Sequence, residues 1–139
     1  MRTDVKRRGW TISAEGNDLA DRFLESVFFT GNGRMGARGY PAYRPIRRPL
    51  DAGLFLAGFY DRISDSTELT DFVNLPTPIW YQIRLNGRIP AIPSHLSRAL
   101  DLRTGLLTFR YRLSIADDWV DVQEQRFFSL AKPSFLFQR

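Results

Sequence analysis

Leu106-Leu107-Thr108-Phe109-Arg110-Tyr111-Arg112-Leu113-Ser114 is the stretch that decides the class of this fold. Leu107, Phe109, Tyr111 and Leu113 hold alternate positions, and Thr108, Arg110 and Arg112 fill the places between them. A two-residue period marks a strand with one dry face and one wet one, because successive side chains leave the backbone on opposite sides. Working outward, Thr104-Gly105 turns this strand back onto Arg98–Arg103, and Ala116-Asp117-Asp118 turns it into Trp119–Leu130. Upstream, Ile79, Tyr81, Ile83 and Leu85 alternate with Trp80, Gln82 and Arg84 as far as Asn86-Gly87. Asn-Gly is the strongest short hairpin signal, since both positions tolerate positive φ. The return strand is expected over Arg88–Ile92, ended by Pro90 and Pro93. Gly53–Tyr60 (GLFLAGFY) is apolar at both parities and predicts a strand buried between two sheets. Helix is expected only over Asn17–Ser26, capped by Asn17 or Asp18, with Leu19, Phe23 and Leu24 on one face. The prediction is an all-β, antiparallel β-sandwich.

Composition narrows the chemistry. The chain has 139 residues, about one domain's worth, and is 43% hydrophobic and 14% aromatic, enough to bury a core. With no cysteine there is no disulfide framework, thiolate nucleophile or cysteine metal site, and His95 is the single histidine. No candidate metal cluster emerges from the carboxylates, and no cofactor is expected. No apolar run approaches the ~20 residues of a membrane span, and no apolar stretch follows the basic residues at the N-terminus as a secretory signal requires. A soluble cytoplasmic domain is the expectation. The net charge is +5 and lies entirely in the first third, in Lys6-Arg7-Arg8 and in Arg44, Arg47 and Arg48. Arginine grips phosphate in bidentate fashion, so nucleic acid is one candidate partner. The clusters are short, however, and no nucleic-acid-binding motif accompanies them, so this is the weakest of the functional readings.

Gly31-Asn32-Gly33-Arg34-Met35-Gly36 fits the dinucleotide-binding pattern G-x-G-x-x-G letter for letter. That pattern works only where a helix N-terminus follows it and points at a pyrophosphate. Here Gly39, Pro41 and Pro45 follow instead, so the segment reads as a loop whose glycines serve turns or close approaches. Asp117 and Asp118 sit in a turn. Asp121 and Glu124 have opposite parity and point to opposite faces, so they cannot share a proton. His95 reads as a loop residue. No catalytic residue is assigned.

The segment Glu25-Ser26-Val27-Phe28-Phe29-Thr30-Gly31-Asn32-Gly33-Arg34-Met35-Gly36-Ala37-Arg38-Gly39 resembles the glycine-rich opening of the N-terminal domain of family 65 glycoside hydrolases. That family includes maltose, kojibiose, nigerose and trehalose phosphorylases. Four later blocks resemble it in the same order: Leu56–Asp61, Phe72–Pro76, Leu100–Leu107 and Arg126–Ala131. Between Tyr40 and Pro49 the chain departs from the family pattern into an Arg/Pro-rich stretch, and Thr77-Pro78 interrupts it again. The resemblance implies a galactose-mutarotase-like supersandwich, of which residues 1–139 form the N-terminal part. It also implies a catalytic (α/α) barrel outside this chain, carrying the general-acid glutamate. In such enzymes inorganic phosphate is the co-substrate, attacking a disaccharide with inversion. The strand-like ending Ser134–Arg139 fits a fragment.

What the resemblance implies for this chain is a non-catalytic support for a carbohydrate-active parent enzyme, silent alone. Asn32 and Arg38 are the candidate contacts to the barrel or the rim of its pocket; the competing reading is that they only pin their own loop. The alternative function is a free-standing carbohydrate-binding module stacking sugars on Trp10, Trp80 and Trp119, although rings on alternating strands more often serve a core. A sandwich cut partway exposes strand edges, which predicts a homo-oligomer.

Overall fold

The computed structural model describes residues 4–16, 22–43, 53–62, 70–76, 78–91, 93 and 95–139. In chain order the elements are β1 (Lys6–Arg8), β2 (Thr11–Gly16), helix α1 (Arg22–Val27), β3 (Thr30–Gly31), β4 (Met35–Ala37), β5 (Leu54–Leu56), β6 (Tyr60–Arg62), β7 (Thr70–Phe72), β8 (Leu96–Asp101), β9 (Leu106–Ile115), β10 (Asp118–Phe128) and β11 (Leu136–Gln138). Six strands form one antiparallel sheet in the order β1-β2-β8-β9-β10-β11, β3-β4-β5 form a second sheet, and β6-β7 a small third. The all-β, sandwich-like prediction holds.

The hairpin of β9 and β10 is the backbone of the large sheet. Asp118 pairs with Ile115 and the ladder runs to Arg126 opposite Leu107, so Ala116-Asp117 is a two-residue loop, with Ala116 at φ 48°. Strand β8 joins the other side of β9, with Leu96 opposite Tyr111 and Asp101 opposite Leu106. The predicted alternation holds in burial except at Thr108, expected on the wet face but also buried: Arg110 and Arg112 are exposed, and Leu107, Phe109, Tyr111 and Leu113 are buried. These four residues join Ala14, Leu24, Phe28, Tyr43, Leu96 and Leu100 in one core cluster. A second cluster of Ala37, Ala42, Leu54, Ile79 and Phe128 packs the small β3-β4-β5 sheet and the segment around Ile79 against the far end of β10. Hydrophobic burial on one face of the large sheet is what holds the layers together.

Three expectations need correction. GLFLAGFY is not one buried strand: Ala57 and Gly58 turn it, with Gly58 at φ 85°, and Phe59 and Tyr60 are exposed. The segment from Ile79 to Leu85 keeps its alternation of burial but forms no strand ladder. Only Leu85 and Arg88 bridge across the Asn86-Gly87 turn, where both residues have positive φ as expected. Pro90 cannot donate to a ladder, and Tyr81, Ile83 and Leu85 are held by side-chain packing on the core instead. Ile92 lies outside the described residues. In the helix, Leu24 and Phe28 face the core, whereas Phe23 is exposed; Asn17, Asp18 and Leu19 lie outside the described residues. Four-residue spacing places Leu24 and Phe28 on one stripe, and Phe23 falls a full step off it.

Candidate functional site

The glycine-rich segment folds as an antiparallel hairpin. Thr30 pairs with Ala37 and Gly31 with Gly36, and helix α1 precedes the glycines rather than following them. No pyrophosphate-facing helix terminus therefore arises within the motif. The glycines are required by close approach: a Cβ on Gly36 would meet the Phe29 ring at 2.6 Å, and one on Gly39 would collide with the Cβ and carbonyl of Phe28. Gly39 sits that close because its N–H donates to the Glu25 carbonyl at 2.8 Å, tying the end of the hairpin to helix α1.

Asn32 fastens the tip. Its Oδ1 accepts from the Arg34 N–H (3.1 Å) and the Met35 N–H (3.0 Å), which closes its own turn. Its Nδ2 donates to the Ser129 carbonyl (2.8 Å) and the Pro133 carbonyl (3.0 Å), which ties the turn to the connection between β10 and β11. All four hydrogen-bonding positions of the amide are used within the chain. Arg38 stands at the other end of the hairpin. Its N–H donates to the Gly53 carbonyl at 2.9 Å, and its aliphatic stem lies across Gly53, where a Cβ would come within 2.8 Å of Arg38 Cδ. Asn32 and Arg38 thus belong to one structural unit, by way of different partners.

A second fastening comes from inside the large sheet. On the inward parity of β10, Val120 and Val122 are followed by Glu124 and Arg126, both fully buried. Glu124 accepts the Ala42 N–H on both carboxylate oxygens (2.9 and 3.0 Å) and hydrogen bonds from the Tyr81 and Tyr111 hydroxyls (3.3 and 3.5 Å). Arg126 Nη2 donates to the Tyr40 carbonyl at 2.6 Å, and its guanidinium lies 5.5 Å from the Tyr40 and Phe109 ring centroids. Burial pushes the Glu124 carboxyl up and the Arg126 guanidinium down, and each charge partly offsets that shift in the other. Burial also raises the Tyr81 and Tyr111 hydroxyls. The pair holds the backbone of residues 40–42, directly after the hairpin, against the sheet. Sequence reading used parity only to separate Asp121 from Glu124. The same parity, applied to Val120, Val122, Glu124, Arg126 and Phe128, marks two charges on an apolar face.

On the outward face, Asp121 makes a bidentate pair with Arg112 (2.7 and 2.8 Å) that lowers its carboxyl. Trp119 lies beside it under the Arg112 guanidinium, 4.2 Å from the ring centroid. The three tryptophans are exposed rather than core, at 62% for Trp10, 46% for Trp80 and 61% for Trp119. Trp10 lies at the Leu106 end of β9, where its carbonyl accepts the Leu102 N–H, and Trp119 is paired with Ser114 near the other end. At about 3.3 Å per residue they are roughly 26 Å apart along the sheet and cannot stack on one sugar. Trp80 lies on the irregular segment before Tyr81. Lys6, Arg7 and Arg8 form the exposed edge strand β1, His95 is exposed, and Arg44, Arg47 and Arg48 lie outside the described residues.

Beside the hairpin lies an apolar surface of aromatic rings: Phe29 against Phe55 (6.3 Å), Phe55 against Phe72 (6.0 Å) and Phe72 against Tyr60 (5.1 Å). A shallow hollow of about 340 Å³ between these rings and Arg34 adjoins one of about 610 Å³ lined by Asn32, Phe59 and Pro133. The hairpin and these rings lie within the stretch of the chain that the comparisons with known proteins match. The trehalose 6-phosphate phosphorylase of Lactococcus lactis subsp. lactis (strain IL1403) is 26% identical over 123 residues, a match covering 81% of this chain and 16% of that protein. The chain thus spans about one sixth of that relative's length. Residues 14–139, which take in the hairpin, both of its fastenings and strands β8–β11 of the large sheet, match the model of the glycosyl hydrolase family 65 N-terminal domain, and to that family this chain belongs.

Proposed function

We propose that the chain is the non-catalytic N-terminal β-sandwich domain of a family 65 carbohydrate-active enzyme, a disaccharide phosphorylase or α-glucoside hydrolase. In this reading it packs on a catalytic (α/α) barrel and presents the β3–β4 hairpin to it, with Arg38 and the exposed rings at the contact and Asn32 as the internal fastener. The observation that carries the reading is the double anchoring of that hairpin, by Asn32 to residues 129–133 and by Glu124 and Arg126 to residues 40–42. Such anchoring suits a docking element, whose shape must be fixed before its partner arrives. The most deeply buried carboxylate among the described residues, Glu124, has its oxygens committed to Ala42, Tyr81 and Tyr111 and no exposed surface from which to protonate a leaving group. The disaccharide substrate, inorganic phosphate as co-substrate and a cytoplasmic location belong to the parent enzyme in this proposal. The test is an assay of the chain with maltose, trehalose, kojibiose and trehalose 6-phosphate, with and without inorganic phosphate. No sugar or sugar phosphate above the blank is expected, and sustained release would overturn the reading.

The exposure of Trp10, Trp80 and Trp119 favours a second reading, a sugar-binding module. Calorimetry with maltose and longer glucans separates the two: a saturable heat at millimolar sugar supports the module, and its absence supports the docking domain.

A further inference from the structure

One arginine on the hairpin face differs from those of the large sheet. Arg110 and Arg112 hold Gln123 and Asp121, and the buried Arg126 holds the Tyr40 carbonyl. Arg34, at the tip of the β3–β4 hairpin, gives only its backbone to the fold. Its N–H donates to Asn32 Oδ1 at 3.1 Å, and its carbonyl accepts the Ala57 N–H at 2.8 Å. Among the described residues its guanidinium has no hydrogen-bond, ion-pair or ring partner. Both hollows beside the hairpin are lined by Arg34: the one of about 340 Å³ among the rings of Phe29, Phe55, Tyr60 and Phe72, and the one of about 610 Å³ beside Phe59. The cation thus stands between two apolar hollows. Between Ser26 and Tyr40 the chain has two arginines and no acidic residue, so nothing on the hairpin itself can neutralise it.

Contiguous exposed rings mark a surface that another surface covers. Phe29, Phe59, Tyr60 and Phe72 are such rings, and a partner that fills both hollows covers Arg34 with them. The two backbone bonds of Arg34 keep its stem between the hollows, so the cation leaves water when they are filled. A cation taken out of water without a counter-charge opposes association, whereas one that meets a carboxylate fixes the register of the two surfaces. We propose that the partner seated on this face carries an aspartate or glutamate that pairs with the Arg34 guanidinium, with apolar side chains on either side of that carboxylate entering the two hollows. The pairing rests on the docking reading above, in which the partner is the catalytic barrel, and adds the chemistry by which the barrel is recognised. A guanidinium fork matches a carboxylate in bidentate fashion, which a lysine could not do as well. Asn32 serves this contact indirectly, because its Oδ1 fixes the N–H groups of both Arg34 and Met35.

The test uses the whole polypeptide encoded by the reading frame that contains this chain. Arg34→Lys keeps the charge and supplies an amine, which a water-soluble carbodiimide joins to a neighbouring carboxylate as an amide, the reagent leaving as its urea. Peptide mapping should find position 34 joined to an aspartate or glutamate outside residues 1–139. Charge reversal by Arg34→Glu should split a single thermal transition into two and speed proteolytic release of the domain about tenfold or more. Reversing the mapped carboxylate to arginine in that variant should restore both. In the 139-residue chain Arg34→Glu should leave the Tm within about 2 °C of the parent, because the side chain has no partner there. A cross-link confined to residues 1–139, no cross-link at all, or an enzyme indifferent to Arg34→Glu overturns the pairing and leaves the docking standing. A reading frame without a barrel, or residues 1–139 unfolding separately in the unmodified enzyme, overturns the docking reading and the pairing with it.

Discussion

Replacing Asn32 by Ala and by Asp separates the two jobs its side chain does. The alanine variant loses all four hydrogen bonds. Those to Ser129 and Met35 are partly shielded, and the other two are at the surface, where water replaces them. At roughly 1 kcal/mol for each shielded bond and about half that for each exposed one, the cost is about 3 kcal/mol. The aspartate variant is nearly isosteric and keeps both bonds accepted by Oδ1. It replaces the donor by an anionic oxygen facing the carbonyls of Ser129 and Pro133, 2.8 and 3.0 Å from the present nitrogen. It should therefore be at least as destabilised as the alanine variant, although aspartate closes this kind of turn as well as asparagine does. For a domain of this size ~3 kcal/mol corresponds to a drop in Tm of roughly 10 °C. Thermal unfolding by circular dichroism measures it, and amide exchange at residues 129–133 locates it. Near-native stability for Asn32→Asp would refute the reasoning, because the residue would then serve only its own turn and the hairpin would be held on one side.

Three other perturbations follow from the geometry. Gly39→Ala drives a methyl group into the backbone of Phe28 while the Glu25 hydrogen bond holds the chain in place, and should cost about 3 kcal/mol or leave the chain insoluble; chemical denaturation measures this. Ala116→Gly relieves a left-handed residue in the two-residue β9–β10 loop and, after the entropy glycine adds to the unfolded chain, should gain about 0.5 kcal/mol in the same experiment. Asp121 is lowered first by the hydrogen bond from Arg112, and Asp101 first by the backbone N–H of Arg103. A depressed carboxyl contributes stability above its ordinary value of 3.8 and loses it as pH falls through the folded value. Acid titration of Asp121→Asn and Asp101→Asn should thus show a shallower loss below about pH 4 than the parent chain.

What could be read in advance follows how local each signal is. Strands β8, β9 and β10 are joined by short turns, so alternation fixes their existence. Their register differs from the expectation, because the β8–β9 turn is the four-residue loop 102–105, with Asp101 and not Arg103 opposite Leu106, and the β9–β10 turn closes over Ala116-Asp117 with Asp118 already in the ladder. Ile79–Leu85 has the same alternation without a ladder, because a two-residue period reports which side chains are buried and not whether another strand accepts the backbone. The Tyr81 N–H donates to the Ala42 carbonyl instead, a partner no local rule supplies. Gly58 shows the opposite failure: an apolar run hid a turn that positive φ demands. At the candidate site, the glycines of residues 31–39 signalled close approach, and rejection of the nucleotide motif followed from the absence of a helix behind it. Asn32's grip on Ser129 and Pro133 spans about a hundred residues of sequence and could not be seen from either side. Glu124 and Arg126 were legible in principle, as charges on the parity of Val120, Val122 and Phe128.

The proposed role requires this chain to be one domain of a larger carbohydrate-active polypeptide. The direct measurement is to sequence the encoding DNA in frame beyond Arg139. A continuation into a long helical region bearing a barrel-borne acidic residue is the predicted result. A stop codon immediately after Arg139, with no such region in frame, would contradict it and leave sugar binding or self-assembly as the function to explain.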